Sequence, residues 1–211
     1  MDFSEQRAAL CAEPMDTDMV QADPVGYFGQ WLKQAIDAGI SEPNAMTLAT
    51  ASASGVPSTR TVLLKYVAAE GFVFFTNYSS RKAKEIAENP QASLLFPWHQ
   101  LGREVVVTGT VEKISASESL KYFTSRPHSS QLGAWVSTQS TVIPNRKFLQ
   151  MKLAEIGNKF KQGKVPLPDF WGGYRVVPEH ISFSQAAAQA AAQAGEQASH
   201  IDVECSQLKA P

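Results

Sequence analysis

Three clusters in the sequence combine residue types and spacings that could do chemistry. The first is STRTVLLKY, residues 58–66. On a strand alternate side chains share a face, so Arg60, Val62 and Leu64 point one way while Thr61, Leu63 and Lys65 point the other. The two cations therefore make no simple pair, and an edge strand with two solvated charges fits the residues as well as a ligand wall does. The second cluster is FFTNYSSRKAK, residues 74–84. A strand delivers Thr76 and Asn77, a turn follows, and a helix begins with hydroxyls and the adjacent cations Arg81 and Lys82. Hydroxyls, free N–H groups at a helix start and two cations form a corner that suits phosphate. An ordinary capped helix with basic surface residues has the same sequence. The third is KYFTSRPHSSQLGAWVSTQS, residues 121–140. Tyr122 and Arg126 are four apart and meet on one helix face, Pro127 ends that helix, and Ser129–Ser130 opens the next. That is a second anion corner, although Tyr122 and Trp135 also suit plain core packing.

The elements that must position these residues follow from periodicity. ADPVGYFGQWLKQAIDAGI predicts a helix with Asp23 as N-cap, Pro24 at its first position, Phe28, Leu32, Ala35 and Ile36 on one face, and Gly39 as stop. Five β-rich runs follow between residues 46 and 114, separated by turn signals at Ser54-Gly55, Glu70-Gly71 and Asn89-Pro90. Closely spaced strands of this kind predict a barrel or strongly curled antiparallel sheet, with a short helix between the third and fourth. From Ser115 the period becomes helical, and Leu149, Leu153, Ile156 and Phe160 fall on one face of the last helix. FWGGYRVV and ISFSQ return to strand pattern.

Composition bounds the remainder. A chain of 211 residues, 44% hydrophobic and 18% charged, fits one globular domain with a sizeable core. A net charge of -1 supplies no global field toward nucleic acid or an anionic membrane, so neither is expected as a partner, and any anion site must be local. No apolar run approaches the roughly 20 residues that span a bilayer. Cys11 and Cys205 lie far apart without metal-ligand spacing, the four histidines are scattered, and the N-terminus has no signal-peptide pattern. The expectation is a cytoplasmic protein with reduced thiols and no metal. There is no Walker-type lysine loop and no GxGxxG.

The order RTVLLK, FFTN-x-x-SRK, SRPHSSQLGAWVSTQS, VPLPDFWGGYR resembles the pyridoxamine 5'-phosphate oxidase family over about residues 24–185. The resemblance implies an α+β, mainly β fold: an FMN-binding split β-barrel with flanking helices, working as a homodimer. It divides the chain into an N-terminal arm (1–20), the barrel domain (21–185) and an atypical Ala/Gln-rich segment (186–211). By position it assigns flavin binding to Arg60, Thr61, Val62, Leu63, Leu64, Lys65, Phe75, Thr76, Arg81 and Lys82, joined by Gln139 and Ser140 from the partner subunit. It assigns the substrate to Lys65, Tyr122, Arg126 and Ser130. The implied reaction moves a hydride equivalent from the 4' carbon of pyridoxamine or pyridoxine 5'-phosphate to FMN, with molecular oxygen as acceptor.

The C-terminal segment departs from that pattern. Ser184 stands where the family has a flavin-contacting Trp, Ala190 and Ala192 where it has a substrate-facing Arg and His, and Ala194 where it has another flavin-contacting Arg. Glu104 replaces a flavin-binding Gln, exchanging a neutral amide for an anion. Weakened turnover is therefore expected, the alternative being a non-catalytic FMN or pyridoxal-phosphate binding protein on the same fold. Gln185, Gln189, Gln193 and Gln197 recur among alanines with little to anchor them, so a marginal helix or disorder is expected there, and IDVECSQL reads as a short closing strand.

Overall fold

A computed structural model describes residues 15–136, 145–160, 163–186 and 199–205. Helix α1 (Thr17–Ala22) is capped by the Asp16 side chain and buries Val20 completely. Helix α2 (Pro24–Asp37) starts as expected, with the Asp23 carboxylate accepting from the Gly26 amide at 2.8 Å and Pro24 in the first turn. Its buried face is centred on Tyr27, Phe28, Trp31 and Ala35. Ile36, expected on that face, is 56% exposed, because the two aromatic positions at 27 and 31 rotate the helix toward their own side.

Among the described residues eight strands form one sheet: β1 (Ala45–Ala51), β2 (Pro57–Leu63), β3 (Tyr66–Ala68), β4 (Gly71–Asn77), β5 (Gln91–Trp98), β6 (Arg103–Lys113), β7 (Trp171–Gln185) and β8 (Ser199–Glu204). Their order is β2-β1-β5-β6-β7-β4-β3, with β8 also on β7, and every pairing is antiparallel. The result is the curled sheet of a split barrel with flanking helices. The runs FWGGYRVV and ISFSQ are one strand rather than two. Strand β7 pairs with β6 along its length, with β4 through its first half and with β8 through its second. It bends at a bulge opposite Thr108 and Gly109, where a β-carbon on residue 109 would lie 1.9 Å from the Val177 carbonyl, so only glycine fits.

Strand alternation sends Met46 and Leu48, Phe72 and Phe74, Leu94 and Phe96, and Val105 and Val107 into one core against α2. Phe28 sits at its centre, edge-on to Phe72 and Phe96 at centroid distances of 4.9 and 4.7 Å. A second, smaller cluster of Phe123, Ala134, Val165 and Trp171 lies beneath α4 (Ala116–Ser125) and α5 (His128–Val136). Helix α6 (Arg146–Lys159) packs on α5, but its expected apolar stripe is only partly covered, and Leu153 is 47% exposed. The closing strand expected near the C-terminus is β8. Among the described residues no helix is long and apolar enough to cross a membrane, and no group of His, Cys, Asp and Glu side chains could hold a metal ion.

Candidate functional site

The first two sequence clusters are brought together because β2 and β4 lie on neighbouring parts of the curled sheet and α3 (Arg81–Glu88) leaves the end of β4. The turn between them is built by Asn77, whose side-chain carbonyl accepts from the Ser79 amide at 2.7 Å and the Ser79 hydroxyl at 2.5 Å. That turn carries Lys82 back over β4, where its ammonium donates to Thr76 Oγ1 at 3.2 Å.

The third cluster is placed by α4. A capping box fixes the start of this helix, with the Ser115 hydroxyl accepting from the Glu118 amide and Glu118 accepting from the Ser115 amide. Two contacts then tie α4 to β7: Glu118 pairs with Arg175 at 3.2 Å, and the Ser119 hydroxyl accepts from the Gly173 amide at 3.3 Å. One turn further on, the Tyr122 ring stacks on Phe75 at 4.0 Å, and Phe75 stacks on Trp171 at 5.2 Å. Arg126 caps the helix, and its guanidinium lies 4.8 Å from the centre of the Trp171 ring.

These elements enclose an open groove of about 450 Å³. From β2 and the link after it come Thr61, Val62, Leu63 and Lys65; from β4, Phe75 and Thr76; from α3, Lys82. Helix α4, the turn after it and the start of α5 close it with Tyr122, Arg126, Pro127 and Ser130. All four expected substrate residues are there, as are seven of the ten expected flavin residues of this chain when Lys65 is counted in both sets. Leu64, just past the end of β2, is instead buried in the core at 4% exposure, with its amide donating to the Asn44 carbonyl at 2.8 Å. Arg60 and Arg81 are not on the wall either; both guanidiniums turn to Glu85.

The groove is electrostatically unbalanced toward cations. Burial lowers the affinity of Lys65, Lys82 and Arg126 for their protons, and Arg126 adds to the effect at Lys65 as Arg60 does at Lys82. Burial raises the Tyr122 phenol, which therefore stays neutral. Arg126 Nη1 is a buried donor without a hydrogen-bond partner among the described residues. Such a donor is costly unless a ligand pairs it, and an anion in the groove would do so.

Sequence reasoning missed Glu85. Its side chain is only 7% exposed and accepts from Thr50 Oγ1 at 2.5 Å, Ser58 Oγ at 2.6 Å, Arg60 Nη2 at 3.3 Å and Arg81 Nε at 2.7 Å. Burial would raise its carboxyl, but hydrogen bonds from Ser58, Thr50 and Arg81, with the Arg81 charge, bring it down to about 2 from the ordinary 4.5. The signal was a carboxylate on the inner side of a short helix, visible only once the facing strands are known. Because the folded value is depressed, the stability from this carboxylate is complete above the ordinary value and is lost as pH falls toward the folded one. Thermal melts on acidification should therefore show the gap between wild type and Glu85→Gln closing below the ordinary carboxylate range; a gap constant down to pH about 2 would contradict the assignment.

Of the substituted family positions, Glu104 and Ser184 are cross-strand neighbours on β6 and β7, away from this chain's groove. Ser184 Oγ lies 2.8 Å from His200 Nδ1, and His200 Nε2 lies 3.0 Å from Asp202, so β8 occupies these groups itself. Gln139, Ser140, Ala190, Ala192 and Ala194 lie outside the described residues.

Comparison with known proteins identifies the family and the fold. The family model described as pyridoxamine 5'-phosphate oxidase matches residues 32–160. A pyridoxine/pyridoxamine 5'-phosphate oxidase of Crocosphaera subtropica is 55% identical over 88% of this chain and 86% of its own, and one of Dichelobacter nodosus is 53% identical over 88% of each. Among solved structures, PhzG from Burkholderia lata, in complex with tetrahydrophenazine-1-carboxylic acid, matches with a TM-score of 0.81 at 24% identity, covering 93% of this chain and all of that one. A pyridoxamine 5'-phosphate oxidase-related, FMN binding protein from Nostoc punctiforme matches with a TM-score of 0.63 at 13% identity, over 83% of this chain and 86% of the other. The structural likenesses establish the fold, and the sequence relatives, at more than half identity over most of the chain, establish descent: the chain belongs to the pyridoxamine 5'-phosphate oxidase family.

Proposed function

We propose that this protein binds FMN in the groove and oxidises pyridoxamine or pyridoxine 5'-phosphate to pyridoxal 5'-phosphate. The observation that carries the reading is the orphaned Arg126 donor in a groove that Lys65, Tyr122, Ser130, Lys82 and Thr76 also line. Cations from three separate elements together with the apolar side chains of Val62, Leu63 and Phe75 suit two phosphorylated ring systems. The donor set fits FMN: the Lys82 ammonium and Thr76 hydroxyl for the phosphate, the β2 wall for the ring. When bound, FMN would supply the hydride acceptor, with molecular oxygen as the final oxidant. The chain's own residues do the rest. Arg126, Lys65 and Ser130 hold the substrate phosphate, and Tyr122, braced on Phe75, limits the pose of the pyridine ring.

A homodimer belongs to the same reading. Outward residues Leu95 and Val106 are register partners on adjacent strands and Thr47 faces Leu95, giving a half-exposed strip of a kind that a second copy would cover. A cytoplasmic setting is part of the proposal on the composition alone.

The second reading, a flavin or pyridoxal-phosphate binder without turnover, is favoured by Ser184, which is bonded to His200 and has no aromatic surface to offer a flavin. Aerobic incubation of the FMN-loaded protein with pyridoxine 5'-phosphate separates the two. Pyridoxal 5'-phosphate and hydrogen peroxide formed together support the oxidase, and bound flavin without either product supports the binder.

A further inference from the structure

The groove's cationic end is organised by a residue that never touches the groove. Of the three cations there, Lys82 lines the groove while Arg60 and Arg81 stand behind it on β2 and α3, and Arg60 is close enough to lower the affinity of Lys82 for its proton. Three like charges so close together repel and splay unless something holds them. Among the described residues the carboxylate bridging two of them is Glu85, with Oε1 on Arg81 and Oε2 on Arg60. Thr50 and Ser58 hold Oε2 in turn, and Arg60 also donates to Thr50 at 2.6 Å, to the Leu48 carbonyl at 3.2 Å and to Ser58. The helix α3 and the strands β1 and β2 are thus tied through one buried carboxylate, one turn of helix away from Lys82.

We propose that Glu85 is a positioning residue for phosphate recognition: by fixing the Arg60 and Arg81 guanidiniums and the first turn of α3, it holds Lys82 and the cationic end of the groove ready for the FMN phosphate. This rests on the reading of the groove as an FMN site. Its sign is what makes it informative. A carboxylate that was only a nearby negative charge would repel a phosphate, so removing it would tighten binding. A carboxylate that positions the cations weakens binding when removed.

The experiment is a fluorescence titration of the full-length protein and Glu85→Gln with FMN and with riboflavin, which has the same ring and no phosphate. The expected result is an FMN Kd about tenfold higher in the variant with the riboflavin Kd unchanged, as befits the loss of prearranged charge-assisted contacts. Equal weakening of both flavins would mean a general structural defect and overturn the proposal, as would unchanged or tighter FMN binding. If the wild type itself shows no preference for FMN over riboflavin, the underlying site reading fails, and the proposal with it. Should Glu85→Gln not fold, Arg60→Lys takes its place. It keeps the charge but cannot span Leu48, Thr50, Ser58 and Glu85 together, and it should show the same phosphate-selective loss. Wild-type FMN binding in Arg60→Lys would overturn the proposal.

Discussion

Arg126→Ala is expected to raise the KM for pyridoxine 5'-phosphate, or the Kd for pyridoxal 5'-phosphate, by about ten- to a hundredfold while leaving FMN affinity nearly unchanged. The guanidinium is held in place before any ligand arrives: its backbone caps α4, its carbonyl accepts from Gln131 at 2.8 Å, and its plane rests near Trp171. A buried Nη1 without a partner is a donor whose cost is already met by the fold, so a phosphate that pairs it gains the full charge-assisted bond of roughly 1.5 to 3 kcal/mol. Removing the side chain forfeits that gain for the substrate phosphate and leaves Lys82 and Thr76, which come from α3 and β4, in place for the FMN phosphate. Steady-state kinetics and a flavin titration on the same preparation measure both effects, and equal loss of FMN would show that Arg126 serves the cofactor.

Lys82→Ala is expected to do the reverse, raising the FMN Kd by about ten- to a hundredfold, with a much smaller effect on riboflavin. The ammonium is half-buried, burial and the Arg60 charge both make its protonated form less comfortable, and Thr76 Oγ1 accepts one of its protons. A dianionic phosphate relieves that strain more than water does, so the affinity should also fall with added salt in the wild type and less so in the variant. Together the two substitutions separate the two phosphate assignments, which no single variant does.

Much of this arrangement was legible in the sequence, for a physical reason. Alternation in STRTVLLKY sent Thr61, Leu63 and Lys65 to one face, and the structure puts all three on the groove, although Val62 from the other face lines it as well. The four-residue spacing of Tyr122 and Arg126, with Pro127 after them, fixed a shared face and a helix end, and both side chains reach the same cavity. Local rules suffice where neighbours in sequence are neighbours in space. They fail where the partner is distant. Glu85 was passed over because its four donors come from β1, β2 and its own helix, up to 35 residues away. The hydrogen bonds of Arg60 to Leu48, Thr50 and Glu85 were hidden for the same reason, since those partners lie on β1 and α3. Ile36 was placed on the buried face of α2 by period alone, whereas the bulk of Tyr27 and Trp31 decides which way that helix turns. The aromatic stack of Tyr122, Phe75 and Trp171 joins three elements, and no periodicity within one element could reveal it.

A titration of the purified wild-type chain with FMN, followed by quenching of flavin fluorescence and repeated with riboflavin, tests most directly whether the groove is a site for a phosphorylated flavin. The predicted result is saturable FMN binding that is clearly tighter than riboflavin binding and weakens as salt is added. Absence of saturable binding, or equal affinity for the two flavins at every salt concentration, would contradict it.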